Sequence, residues 1–439
     1  MFLARAEGSA VARGLSIPAQ RFIFTEGASG RLLLVAAIVA LVWANSPFSD
    51  RYESLWGYYL TIDLGFLTLS ENLKHWINDG LMTLFFFLVT LEVKREVLHG
   101  ALASVRTAAL PVAAALGGIV GPAVVYVVLN LGEPSVSGWG IPVATDIAFA
   151  IAALSLVARG APASLVTFML TLAVVDDIAA IGIIAVFYTE MIDPVALMMA
   201  GLLIGAMFLA QRTGVSGFLP YWVIGLAVWV AMLESGVHAT LTGVLVAAMT
   251  PAGARLARER LLADGPVLLE RASSTNHDES EAALGQLESL VVDSEAPLER
   301  LERSVHPISG FLVLPLFALA NAGVSLDPET LREAVDSRVT MGTFFGLVIG
   351  APIGILLASW MAVRSGLAVL PTGISWRQIA GVGALAGIGF SVSIFITDLA
   401  FSDSPEAAQA KIGVTAAALV ASVLGWLLLR GTSGAVPAR

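Results

Sequence analysis

The sequence predicts an all-α polytopic membrane protein with about twelve transmembrane helices, and three observations lead there. Of its 439 residues, 57% are hydrophobic and 13% charged, where a soluble domain carries about 25% charged residues. Mean hydropathy is +0.84. Apolar runs approaching the roughly 20 residues needed to cross a bilayer recur near 30–46, 76–93, 107–130, 141–157, 163–188, 194–211, 218–233, 236–250, 307–324, 340–362, 378–400 and 411–430. There are no cysteines, which excludes disulfides and thiolate metal sites. The net charge of −10 gathers largely in one loop, and no basic patch points to nucleic acid.

Residues 1–28 hold Arg5, Arg13 and Arg21 without a compact apolar core, so they read as an amphipathic cytoplasmic lead-in rather than a cleavable signal. Spans 1–8 fill 29–250. Within that stretch, residues 57–70 alternate Tyr58, Leu60 and Ile62 before the turn residues Asp63-Leu64-Gly65, the pattern of an external β-hairpin. Its exposed strands could hydrogen-bond to a second copy, as a homodimer, or could cover the rim. Residues 251–306 form a long acidic cytoplasmic loop, in which Leu284, Leu287, Leu290 and Val291 predict one short amphipathic helix within an otherwise disordered linker. Spans 9–12 fill 307–430, and 431–439 form a cytoplasmic tail. With the N-terminus inside, all but Arg51, Lys74, Arg332, Arg338 and Lys411 of the 24 Lys and Arg residues lie on the cytoplasmic side. The positive-inside rule therefore places both termini in the cytoplasm.

Charges inside the spans are few: Asp79 and Glu92, Asp146, the adjacent pair Asp176-Asp177, and Asp398. A carboxylate at mid-membrane costs at least about 2.5–3.5 kcal/mol on insertion scales, and two adjacent ones resist carrying two charges at once. A chain that keeps such a pair uses it, and paired carboxylates that hold either protons or a cation are what an ion exchanger needs. Glu92, followed by Lys94, Arg95 and Glu96, belongs to a cluster at the cytoplasmic mouth. Asp79 lies near the outer end and should be half-solvated. Asp146 sits in a short span just after Gly138, Gly140 and Pro142, and Gly381, Gly383, Gly387 and Gly389 interrupt the corresponding span of the second half. Paired interruptions of this kind mark binding sites in transporters, because unwound backbone exposes carbonyls and helix ends. Glycines alone would equally serve close helix packing; Asp146 in the partner segment favours a site.

Six ordered motifs resemble the NhaA-type sodium/proton antiporters: Leu91-Glu92-Val93-Lys94-Arg95-Glu96, Ala144-Thr145-Asp146-Ile147-Ala148-Phe149-Ala150, Val175-Asp176-Asp177, Ser235-Gly236-Val237-His238-Ala239-Thr240, the run Leu316–Leu326, and Gly387-Ile388-Gly389-Phe390-Ser391. The likeness covers nearly the whole chain except 251–300. It implies inverted repeats with two interrupted, crossing helices, a bacterial inner membrane location, transported Na+ (or Li+) and H+ with no cofactor, and a role in sodium and pH homeostasis. It makes Asp176 and Asp177 the ion- and proton-binding pair. Asp146, with Thr145 beside it, becomes the acid that compensates helix-end dipoles. Glu92, Arg95, Glu96, Glu302 and His238 become candidates for pH response. His238 is equally read as a polar residue satisfied at a helix end.

One departure stands out. The family carries a lysine at the second position of a Gly-Lys-Pro-x-Gly motif, where this chain has Gly350-Ala351-Pro352-Ile353-Gly354. In the family that lysine pairs with the first aspartate, so Asp176 loses a buried cationic partner. The resemblance implies electrogenic exchange of two H+ per Na+; Ala351 opens an electroneutral one-for-one alternative, or a transport-impaired homologue. An intramembrane aspartyl protease would instead need aspartates on two spans in a Gly-x-Gly-Asp context, which does not accompany this pair.

Overall fold

The computed structural model describes residues 17–430 except 64, 66–67, 158–161, 190–191, 214–217, 255–257, 274–276 and 403. The distal part of the lead-in and the tail after residue 430 therefore lie outside the described residues. Helix α1 (Ile17–Ala44) is followed by α2 (Ser49–Trp56) and by the antiparallel strands β1 (Tyr59–Asp63) and β2 (Thr68–Asn72), paired in register from Tyr59↔Asn72 to Asp63↔Thr68. Then come α3 (Leu73–His99), α4 (Val105–Leu129), a 3-10 arm (Pro134–Val143), α5 (Ile147–Val157), α6 (Ala163–Phe187), α7 (Pro194–Arg212), α8 (Phe218–Glu234) and α9 (Leu241–Met249). Helices α10 (Arg258–Ala272) and α11 (His277–Ser294) precede α12 (Pro297–Asn321), α13 (Pro328–Asp336) and α14 (Arg338–Arg364). Helices α15 (Trp376–Ala386), α16 (Phe390–Ala400) and α17 (Pro405–Leu429) complete the chain. Eight of these helices are long and apolar enough to cross a membrane, and two bent pairs bring the number to ten among the described residues.

The predicted spans map onto these helices with three corrections. The stretch 251–306 is not a mostly disordered linker with one short helix. Helices α10 and α11 pack on each other, burying Ala283 and Leu290, and Ser280 Oγ donates to Ala272 O at 2.6 Å. Acidic composition argued for disorder, but Leu, Glu and Arg are strong helix formers, and the two helices supply each other's apolar partner. The boundary at 306 also moves, because α12 begins at Pro297. Its first turns are amphipathic, with Leu298 and Val305 buried against Leu88, Leu91 and Ala247, so an apolar-run criterion passes over them. Finally, the eighth span is helical only from Leu241, since Gly236 at φ 76° turns the chain in a left-handed conformation that favours glycine.

Small residues set the tightest crossing. Gly117 and Gly121 of α4 meet Gly354 and Gly350 of α14, where an added Cβ would lie 2.1 Å from the Gly354 carbonyl oxygen or 2.2 Å from that of Gly350. Helices in lipid gain most by such close approach. The first broken pair bends by 48° between the 3-10 arm and α5, the second by 44° between α15 and α16. The pairs lie antiparallel, with α16 against the 3-10 arm and α15 against α5. Pro142 ends the first arm and rests on Gly346, where a Cβ would come within 2.9 Å of the Pro142 Cβ.

Candidate functional site

The crossing is held by extended backbone. Asp146 N–H donates to Ile388 O at 2.7 Å, and Thr145 Oγ1 lies 3.0 Å from Ala386 O. Gly387 and Gly389 adopt ordinary negative φ angles of −68° and −89°, so they serve by close approach. A Cβ would sit 2.4 Å from Leu347 O at the first and 2.6 Å from Ala144 O at the second. The break and the tight packing are the same feature.

Asp146 serves two helix N-termini at once. One carboxylate oxygen accepts from Phe149 N at 3.1 Å, capping α5, and the other accepts from Ser391 N at 2.9 Å and from the Ser391 hydroxyl, capping α16. Both helix dipoles direct positive potential at this one carboxylate, which stabilises its charge. Ser391 was not among the expected site residues. The signal available was a hydroxyl two residues after Gly389, in the first turn of a broken arm.

The paired aspartates of α6 differ in surroundings. Both are buried, Asp176 at 2% and Asp177 at 5% relative exposure. Asp177 lines a cavity of about 50 Å³ together with Asp146, Thr145, Ser391, Ser309 and Glu92. That space has room for a few water molecules, each needing about 10–15 Å³. Asp176 stands behind it. Its Oδ2 accepts from Thr145 Oγ1 at 2.9 Å, while its Oδ1 is buried without a hydrogen-bond partner and lies 3.9 Å from where a Cβ on Gly118 would be. The Thr145 hydroxyl has one proton and two neighbours, the Asp176 carboxyl and the Ala386 carbonyl. It donates to only one at a time. Ile355 borders the same place, 3.2 Å from that hypothetical Gly118 Cβ. Ala351 lies one helical turn earlier on the same face and is 3% exposed. With Ile355, alanine leaves that wall apolar.

The pH-response candidates separate into two groups. Arg95 pairs with Glu302, tying the end of α3 to the first turns of α12, and Glu92 lines the cavity nearby. Glu96 instead accepts from Ala101 N at 2.6 Å in the turn after α3. His238 lies at the other end of the molecule, its ring against Tyr188 O, next to Ala239, which packs on Leu69 of the hairpin. Asp79, expected to be half-solvated, has a side chain only 13% exposed and pairs with His75 at 2.7 Å. Lys411, counted from sequence among external charges, is buried and pairs with Asp398 at 2.7 Å.

Interrupted helices crossing at buried carboxylates, beside a small cavity inside a membrane-spanning bundle, define an ion-coupled membrane transporter. The sequence pattern of the family described as Na+/H+ antiporter 1 matches residues 20–429, and the chain belongs to that family. Its members are transporters rather than enzymes, and the ions they exchange are substrates, so no cofactor is required. The chain is 43% identical to the Na(+)/H(+) antiporter NhaA 2 of Sorangium cellulosum over 429 residues, covering 96% of this chain and 92% of the relative. It is 45% identical to the NhaA antiporter of Koribacter versatilis over 414 residues, with 94% and 91% covered. It is 43% identical to that of Oleidesulfovibrio alaskensis over 431 residues, with 95% and 94% covered.

Proposed function

We propose that the chain exchanges cytoplasmic Na+ or Li+ for external H+ in a bacterial inner membrane, supporting sodium and pH homeostasis, with Asp177 as the group for which cation and proton compete. The single observation that carries this is the position of Asp177: buried, on the broken-helix crossing, and open to a cavity that Asp146, Thr145 and Ser391 supply with hard oxygen ligands. At high internal pH the proton leaves and the cation binds. The loaded unit, spans 3–5 and 10–12, then rocks against the others and releases the ion on the hairpin side, where H+ reloads it. Bound cation or proton neutralises charge that would otherwise oppose the crossing. Exchange therefore rises as internal pH rises, until proton competition is gone.

Family resemblance implies two H+ per Na+, in which case both Asp176 and Asp177 take up and lose a proton in each cycle. A second reading has its own support. Among the described residues no cation pairs with Asp176, which lies behind Thr145, and a buried carboxylate so poorly compensated is costly. If Asp176 keeps its proton throughout, exchange is one-for-one. Around the core, both termini face the cytoplasm, Glu92, Arg95 and Glu302 adjust the mouth to pH, and the strand pair Tyr59–Asp63 and Thr68–Asn72 offers an edge for a homodimer.

Everted vesicles test this directly. With an acid interior imposed, added Na+ should raise internal pH in wild type and not in Asp177→Asn. Equal responses would sink the antiport reading. Acceleration by valinomycin with K+ supports two protons per Na+, and an indifferent rate supports one.

A further inference from the structure

The cluster around Asp398 plays no part in ion binding as described above, yet it gathers three charged side chains, Lys74, Asp398 and Lys411. Asp398 Oδ1 lies 2.7 Å from Lys411 Nζ and 3.6 Å from Lys74 Nζ. Its Oδ2 lies 3.4 Å from Asn78 Nδ2, and Asn78 Oδ1 accepts from Asn321 Nδ2 at 2.7 Å. Directly beneath, Phe86, Phe317 and Phe395 are buried against one another, with ring centroids 5.5 Å (Phe86–Phe395) and 6.2 Å (Phe317–Phe395) apart. Phe317 precedes Asn321 by one turn of α12, and Phe395 precedes Asp398 by one turn of α16. An aromatic layer and a polar layer thus join the same three helices on the hairpin side of the crossing.

The shortest polar contacts of the cluster lie within units. Asp398 and Lys411 lie on α16 and α17, within the unit that rocks, and are 2.7 Å apart. Asn78 and Asn321 lie on α3 and α12, within the other unit, and are joined by two hydrogen bonds, of 2.7 and 3.4 Å. The two contacts that cross the boundary, from Asp398 to Lys74 and to Asn78, are both long, at 3.6 and 3.4 Å. Separation of the units would part Phe395 from Phe86 and Phe317 and, among the polar contacts of the cluster, would break only these two long ones. Asp398 would keep Lys411, so no buried charge is stranded, Asn78 would keep Asn321, and the Lys74 side chain, already 35% exposed, would turn to water.

We propose that Asp398, with Lys74 and Asn78 across the boundary, is a releasable latch that holds the hairpin side closed, and that Lys411 is its resident counter-ion. Asp398 is a positioning residue: it acts on the alternation of access and not on the ion. The proposal rests on the antiport reading for its role in the cycle, while the contacts themselves do not.

The chain has no cysteines, so a single one can report opening. Thr397 is buried beside the cluster, and its hydroxyl only donates within its own helix, to Ser393 O. In nanodiscs, Thr397→Cys is treated with a charged methanethiosulfonate, alone and combined with Lys74→Glu or Lys74→Gln. Lys74 is partly exposed, so both variants should fold. Labelling should speed up roughly tenfold for Glu and less for Gln, by loss of a contact that crosses between charged groups. In proteoliposomes Lys74→Glu should lower turnover while leaving the KM for Na+ at the cavity side within about twofold. Unchanged labelling in both variants overturns the latch, as does faster labelling with unchanged turnover. Labelling requires no transport, so loss of antiport in wild type would refute the functional reading and not the latch.

Discussion

On the side of the crossing that faces Arg95 and Glu302, Asp177, Asp146, Thr145 and Ser391 border a cavity; on the hairpin side, three phenylalanines and the Asp398 cluster close the same helices together. Both regions bury carboxylates, and the difference lies in how each charge is compensated. Asp398 has a lysine at 2.7 Å. Asp146 has two helix N-termini and a serine hydroxyl. Asp176 has one threonine, and Asp177 has the cavity. Structural carboxylates are matched with permanent partners, whereas a carboxylate meant to exchange its partner is left with space for one. That contrast separates Asp177, the acid proposed to transport, from its neighbours better than burial does.

The contrast can be broken by substitution, beginning with the largest effect. Asp177→Asn should reduce Na+-dependent pH change in vesicles to that of empty vesicles, while Asp398→Asn should only slow it. Equal losses would erase the distinction between the two regions. Next is the scaffold that carries both. Gly354→Leu places a side chain where a Cβ alone would be 2.0 Å from Gly117 O, an overpacking that costs about 1–3 kcal/mol or more. Yield of monodisperse protein and its thermal midpoint should both fall, whereas Gly182→Leu, in open space on α6, should leave them unchanged. Thr145→Ala removes the hydroxyl shared by Asp176 and Ala386 and should raise the KM for Na+ by roughly 10- to 100-fold, as losses beside metal ligands do. Thr145→Ser should restore most of it. The smallest effect belongs to the mouth. Arg95 pairs with Glu302 at the mouth, and Arg95→Ala should leave the maximal rate of vesicle exchange largely unchanged while shifting the pH at which exchange turns on.

Much of this was legible in the sequence because membranes impose strong rules. Apolar runs located nearly every span, and charges within them marked Asp146, Asp176, Asp177 and Asp398. Gly and Pro beside Asp146 and the repeated glycines near 387 located both breaks. What escaped depended on amphipathic or long-range contacts. The opening turns of α12 bury Leu298 and Val305 on one face while Arg300 and Arg303 occupy others, so no apolar run appears. Lys411 reads as a charge at the edge of a span, and only the approach of α16 shows that it pairs with Asp398. Ser391 looks like one more small residue until its backbone N–H and hydroxyl meet Asp146. Asp176 and Asp177 are adjacent in sequence, and no pattern distinguishes the one facing Thr145 from the one facing the cavity.

Competition between Na+ and H+ at Asp177 is tested most directly by proton release. Purified protein in a weakly buffered solution at alkaline pH, just above the onset of exchange, is titrated with NaCl, using choline chloride as the control, while a pH indicator is followed. Saturable proton release with Na+ in wild type, and none in Asp177→Asn, is the predicted result. Sodium binding without release, or undiminished release from Asp177→Asn, would contradict it.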